Sequence, residues 1–288
     1  MKKYFKLMRV NHYLKNILIF LPLIFSKNLF NIDLFKSAIL GFCGFSILSS
    51  IVYIINDIQD VEKDRKHPKK CKRPIASGEI SVTTAYILAI FIFLIGMVFN
   101  YMSCKFSING WIFISLYLVL NFLYSMGLKN LPIIDVVILV SGFLLRVLYG
   151  SAITNIGVSN WLCLTVIAMS FYLGLGKRRN ELNKEGSKTR KVLKYYNHNF
   201  LDKNMYMCLG LTITFYSLWC VDSATVLRYS NNNMVWTVPL VMIICMKYSL
   251  NIEGDCDGDP VSVLLSDKIL MAMVFLYSIV VLMIIYIS

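Results

Sequence analysis

Residues 56–64 read Asn56-Asp57-Ile58-Gln59-Asp60-Val61-Glu62-Lys63-Asp64, and the run closes an apolar stretch long enough to cross a membrane. Asp57, Asp60 and Asp64 recur at spacings of three and four. A helix continued through them would carry all three on one face. Clustered carboxylates repel one another unless a cation sits between them, and carboxylates at a membrane boundary are costly and usually functional. A hard cation such as Mg²⁺, shared with phosphate oxygens of a substrate, satisfies both constraints. A basic stretch follows, His67-Pro68-Lys69-Lys70-Cys71-Lys72-Arg73-Pro74. Acid followed at once by base suits a metal–pyrophosphate, with Lys72 or Arg73 on phosphate oxygens. The competing reading is a solvated charged loop between two spans.

Other polar residues stand inside or beside apolar runs. Asp135 and Arg146 are eleven positions apart on one expected helix, about three turns, so they share a face. Each needs a partner or a cavity in a membrane. A structural ion pair meets that need, and so does a phosphate contact for Arg146. Lys15 and Asn16 begin the first apolar stretch, where Lys15 is either a snorkelling anchor or the captor of a lipid phosphate.

These residues must be held by helices. The chain has 288 residues, is 57% hydrophobic and 16% charged, and has a mean hydropathy of +0.64, which excludes an ordinary soluble domain. Nine stretches approach the roughly 20 apolar residues a span needs: about 14–30, 34–56, 80–103, 108–127, 131–153, 158–176, 204–226, 234–252 and 264–287. The expectation is an all-α, polytopic bundle of nine transmembrane helices around a central cavity open to the cytoplasm, a single domain over 1–288. The first stretch lacks a small-residue cleavage site and is not read as a signal peptide. Seven Lys or Arg lie between Lys63 and Arg73, and another basic group runs from Lys177 to Lys203. The intervening loops hold few cations, so the N-terminus and these loops are expected in the cytoplasm. The formal charge of +13 therefore speaks for topology and anionic lipid rather than for nucleic acid. The eight cysteines form no C-x-x-C pair and suggest neither a disulfide framework nor zinc.

The run from Asn56 to Asp64, with Arg73-Pro74-Ile75-Ala76-Ser77-Gly78 behind it, resembles the first signature of the UbiA superfamily of intramembrane prenyltransferases. Asn121-Phe122-Leu123-Tyr124-Ser125, Pro132-Ile133-Ile134-Asp135 and the stretch from Gly142 through Arg146 to Gly150 agree with it. Aromatic prenyltransferases of that superfamily carry a second Asp-rich motif after the sixth helix. Here the place reads Gly174-Leu175-Gly176-Lys177-Arg178-Arg179-Asn180-Glu181-Leu182. One acidic and one basic cluster suit a substrate with a diphosphate at one end and a separate phosphate at the other. That segment is similar to the decaprenyl-phosphate phosphoribosyltransferase branch. So are the stretches from Arg9 to Asn16 and from Tyr248 to Asp267.

The resemblance implies transfer of 5-phosphoribosyl from phosphoribosyl pyrophosphate to a polyprenyl phosphate in the bacterial inner membrane, with Mg²⁺ as cofactor. It implies Asp57, Asp60 and Asp64 as metal ligands and catalytic residues. Lys15, Asn16, Asn56, Lys72, Arg73, Tyr124, Arg146, Lys177, Arg178 and Glu181 would contact substrate, with Lys177 and Arg178 on the 5-phosphate and Tyr124 on the ribose. The product lipid would serve cell-wall biogenesis or another glycan, and a homo-oligomer is compatible with the reading. Two alternatives stand beside it: a prenyl diphosphate donor with an aromatic acceptor, and a membrane transporter. The run Asp255-Cys256-Asp257-Gly258-Asp259 opens like a calcium loop, but Pro260 follows and no Glu stands at the twelfth position, against an EF-hand.

Overall fold

The computed structural model describes residues 2–67, 70–105, 107–185, 190–254 and 258–287. The acidic residues Asp255 and Asp257, with Cys256, lie outside them, as does Lys188. Among the described residues every regular element is a helix. We number the long ones α1 (Ile32–Gln59), α2 (Val82–Cys104), α3 (Ile108–Met126), α4 (Ile134–Thr154), α5 (Asn160–Glu185), α6 (His198–Val221), α7 (Val238–Glu253) and α8 (Lys268–Tyr286). Val10–Phe25, mostly 3-10 helix, precedes them.

Helix starts are set by side chains that accept hydrogen bonds from otherwise orphaned backbone N–H groups. Asn31 caps α1, Ser81 α2, Ser107 α3, Asn197 α6 and Asp267 α8. All nine expected stretches fall on helices, but seven helices among the described residues are both long and apolar enough to cross a membrane. The first expected stretch is short, Val10–Phe25. The stretch at 158–176 belongs to α5, which does not stop where the sequence turns basic but runs on through Lys177-Arg178-Arg179 to Glu185. Residues 177–185 are therefore helix rather than loop.

Backbone contacts group the chain into two compact units. The first comprises Met1–Leu23, Leu29–Gly127 and Leu145–Ile156, and the second Ile24–Asn28, Leu128–Leu144 and Gly157–Ser288. In the first, α1 packs along α2 over a core that includes Phe45, Leu48, Ile54, Ala85 and Ile92. Gly150 on α4 lets the backbone of Val10–Phe25 approach so closely that a Cβ there would overlap the Ile19 carbonyl. In the second, α5 packs along α6 over Tyr172, Leu175, Leu201 and Met205. Large apolar side chains remain exposed on α2 (Ile87, Phe91, Leu94) and α8 (Phe275, Leu276, Met283). Apolar faces of this kind suit lipid, and helices satisfy their own backbone there.

Candidate active site

The acidic group lies in the first unit, at the end of α1. The last turn of α1 carries Asp57; the chain bends at Asp60 (φ −93°, ψ 6°) and re-enters a short helix, Val61–Arg65. Asp57 and Asp64 are 3% and 4% exposed, whereas Asp60 is half-buried beside the exposed Lys63, 3.7 Å away. Two arginines balance the buried acids. Arg73 Nη1 donates to Asp57 Oδ1 at 3.0 Å and to Asp64 Oδ2 at 2.6 Å. Arg9 Nη2 donates to the same Asp57 oxygen at 2.6 Å.

Arg73 is held by a tight turn. Ile80 N–H returns to the Pro74 carbonyl, Gly78 takes φ +81°, and the N-terminal helix Lys2–Met8 clamps the loop through Lys6 to the Lys72 carbonyl at 2.7 Å. Lys72 itself is exposed. Arg9 has φ 52°, a costly conformation for a residue with a side chain, and its guanidinium also lies over the Tyr53 ring at 4.8 Å. Sequence reasoning left Arg9 out of the substrate-binding set, since its partner is 48 residues away.

Among the described residues no group of three or more His, Cys, Asp and Glu is placed to hold a metal ion alone. What the chain offers is a pair of buried carboxylates joined by one guanidinium. That donor set fits Mg²⁺, which is usually bound by one or two carboxylates and completed by substrate phosphates and water.

The same unit holds a second polar group. Asn16, 1% exposed, donates to Ser46 Oγ at 2.8 Å and accepts from Arg146 Nε at 2.7 Å. Arg146 also donates to Tyr117 OH at 3.2 Å and lies over the Phe45 and Tyr117 rings. Asn16 and Arg146 thus meet, with Lys15 half-buried next in the chain. Asn56 accepts from Ser125 Oγ at 3.5 Å, and Tyr124 is half-buried on the same last turn of α3.

The basic group lies in the second unit. Successive helical residues point about 100° apart, so the three consecutive cations of α5 fan out to three elements. Lys177 faces Asp259 Oδ1 at 3.4 Å, Arg178 donates to Asp135 Oδ2 on α4 at 2.5 Å, and Arg179 donates to Asp202 on α6 at 2.5 Å. Glu181, one turn beyond Arg178 on the same face, accepts from it at 2.7 Å and has Arg190 at 3.7 Å. Burial alone would raise the Glu181 carboxyl, but Arg178, Arg190 and Lys177 hold it at about 2. Tyr196 completes the network: its hydroxyl donates to Asp135 Oδ1 at 2.6 Å and accepts from Ile133 N–H at 2.6 Å.

Two expectations change here. Asp135 takes the structural alternative, an interhelical ion pair: it accepts from Arg178 and Tyr196. Arg178, expected on a phosphate, is fully buried between two carboxylates and braces the helices. Lys177, with its side chain 30% exposed and the longer ion pair, is the better placed of the two for an anion.

A model of the UbiA prenyltransferase family matches residues 19–279. The decaprenyl-phosphate phosphoribosyltransferase of Corynebacterium glutamicum is 29% identical over 98% of this chain and 86% of that protein. Its counterpart in Mycolicibacterium smegmatis is 30% identical over 83% of this chain and 77% of that protein. Among solved structures, a UbiA homolog from Archaeoglobus fulgidus bound to GPP and Mg²⁺ superposes with a TM-score of 0.72 at 18% identity, covering 97% of this chain and 99% of that one.

Proposed function

The chain belongs to the UbiA prenyltransferase family, and we propose that it transfers 5-phosphoribosyl from phosphoribosyl pyrophosphate to a polyprenyl phosphate, releasing pyrophosphate. The observation that carries this reading is the contrast between the two charged groups. Asp57 and Asp64 share Arg73 in an acid–arginine group suited to a metal-bound diphosphate. The segment at Lys177 presents cations where the aromatic branch has acids. Similarity to decaprenyl-phosphate phosphoribosyltransferases over most of the chain supports it further.

In this reading Asp57 and Asp64, with Asp60 beside them, hold Mg²⁺, which when bound supplies Lewis-acid neutralisation of the leaving pyrophosphate. Arg73 and Arg9 turn their N–H groups to diphosphate oxygens, and Asn56 orients a carboxylate or a substrate hydroxyl. Lys177 takes the 5-phosphate, Tyr124 the ribose, and Lys15 with Asn16 and Arg146 the lipid phosphate. Lys72 adds positive potential from the surface. The acceptor needs no general base, because a phosphate monoester carries about −1.5 to −2 charges at pH 7. Its oxygen attacks C1 as the C1–O bond to pyrophosphate breaks, and attack from the opposite face inverts that carbon. Catalysis is then positioning and charge neutralisation. The polyprenyl tail lies in lipid at ~0.8 kcal/mol per buried CH₂, so tail length is weakly specified. In this reading the enzyme works in the bacterial inner membrane, with its N-terminus and active site on the cytoplasmic side.

Asp57→Ala should remove Mg²⁺-dependent turnover while the protein still inserts and elutes as the wild type does. Unchanged turnover would take the acidic group out of the reaction.

A further inference from the structure

The two arginines that share Asp57 Oδ1 are held from one place. Arg9 directly follows the N-terminal helix Lys2–Met8, and Arg73 opens a turn that the same helix grips at two points. Lys6 Nζ donates to the Lys72 carbonyl at 2.7 Å, and Lys3 Nζ donates to the Glu79 carbonyl at 3.1 Å. Residues three apart on a helix are neighbours, so two adjacent lysines bracket the whole turn. Within it, Ser77 N–H returns to the Arg73 carbonyl at 2.8 Å and Gly78 N–H to the Ile75 carbonyl at 3.1 Å.

The helix is in turn fixed on α1. Leu7 is fully buried in the core of the first unit, and Tyr4 packs against that core. Ser50 Oγ, on α1, donates to the Met8 carbonyl at 2.9 Å. Ser50 and Asp57 stand seven positions apart, so they share a face of α1 at a separation of roughly 10 Å. The chain turns into the left-handed region at Arg9 (φ 52°, ψ 49°) between these two levels, and the side chain runs on to Asp57. Such a backbone persists only where its surroundings over-determine it. Here the anchors are Ser50 on the Met8 carbonyl before the turn and His12 N–H on the Arg9 carbonyl, at 2.8 Å, after it.

Arg9 and Arg73 donate to one carboxylate oxygen at 2.6 and 3.0 Å. In the proposed reaction both guanidiniums leave it for diphosphate oxygens. Asp57 then no longer keeps them side by side, and only their backbones do. Both backbones are tied to Lys2–Met8. Resting on the proposed function, we infer that this helix is a strap for the diphosphate end of the site, with Lys6 and Lys3 as positioning residues. They hold the Arg73 turn so that Arg73 and Arg9 meet the pyrophosphate together, and they act through Arg73 rather than on the pyrophosphate itself.

The test is equilibrium binding of pyrophosphate with Mg²⁺ to the full chain in detergent, each variant first shown to elute as the wild type does. Lys6→Ala is expected to weaken binding about three- to tenfold, between the worth of an exposed ion pair and that of a charged hydrogen bond. Lys6→Arg should recover most of the loss. Lys3→Ala, which removes the longer contact, should weaken binding less, and it carries the comparison if Lys6→Ala does not elute normally. Lys2→Ala removes a charge from an exposed position on the same helix and should leave binding unchanged. Lys6→Ala placed on Arg73→Lys should cost less than it does alone, the mark of two residues acting as one unit. Unchanged affinity in the Lys6 and Lys3 variants, an equal loss in Lys2→Ala, full additivity with Arg73→Lys, or no binding to the wild type would each overturn the strap. A failed proposed function reads out differently. If the donor is a prenyl diphosphate, pyrophosphate binding still depends on Lys6, while labelled phosphoribosyl pyrophosphate yields no labelled lipid.

Discussion

Arg178 offers the sharpest test of how the basic segment is built. Its side chain and that of Asp135 are 1% and 0% exposed and meet at 2.5 Å, with Glu181 and Tyr196 tied to the same pair. Arg178→Met removes the cation and leaves a buried carboxylate that still accepts from the Tyr196 hydroxyl. Breaking a buried pair in this way costs roughly 3–5 kcal/mol. At ~2–4 °C of melting temperature per kcal/mol, the variant should melt on the order of 10 °C below the wild type. Removing both charges, as Arg178→Met with Asp135→Asn, keeps the Tyr196 hydrogen bond and should restore more than half of that loss. The assay is thermal unfolding in detergent at fixed pH and lipid content. A single variant that melts within about 2 °C of the wild type, yet no longer binds the donor, would refute the brace and return Arg178 to the phosphate.

Other outcomes follow from the same contacts. Arg73→Lys keeps the charge but not the guanidinium geometry that spans Asp57 and Asp64. A charged hydrogen bond contributes ~1.5–3 kcal/mol, so turnover should fall about 10–100-fold in a steady-state assay. Gly150→Ala drives a methyl into the Ile19 carbonyl and should lower the melting temperature through overpacking of at least ~1–3 kcal/mol. Gly157→Ala, which meets open space, should not. The Glu181 carboxyl is depressed from 4.5 to about 2, so its contribution to stability is complete above pH 4.5 and disappears as pH falls toward 2. Glu181→Gln should flatten that part of the stability–pH curve, read by chemical or thermal unfolding between pH 7 and 3.

Much of the architecture is legible in the residues themselves. Runs of about 20 apolar side chains mark the helices, and Asn31, Ser81, Ser107 and Asp267 mark where four of them begin. The acidic run announces itself because Asp57 ends an apolar helix. The pairings are another matter. Arg9 reaches Asp57 from 48 positions away and Arg146 reaches Asn16 from 130, distances over which no local pattern carries information. Charge alone suggests a basic loop at 177–185, yet Leu175, Leu182 and the apolar face they extend keep the chain helical to Glu185. Once it is a helix, the fan of Lys177, Arg178 and Arg179 follows from 3.6 residues per turn, but their partners Asp259, Asp135 and Asp202 do not. The bend at Asp60, which leaves that residue half-buried between two buried acids in the sequence, is likewise an effect no spacing rule contains.

The most direct test of the account is transfer of label. Membranes containing the chain would be incubated with phosphoribosyl pyrophosphate labelled in the ribose and with a polyprenyl phosphate, with and without Mg²⁺. The account predicts a labelled lipid that requires Mg²⁺, the acceptor and an intact Asp57. Label that stays in the aqueous phase, together with transfer from a labelled prenyl diphosphate to an aromatic acceptor, would contradict it.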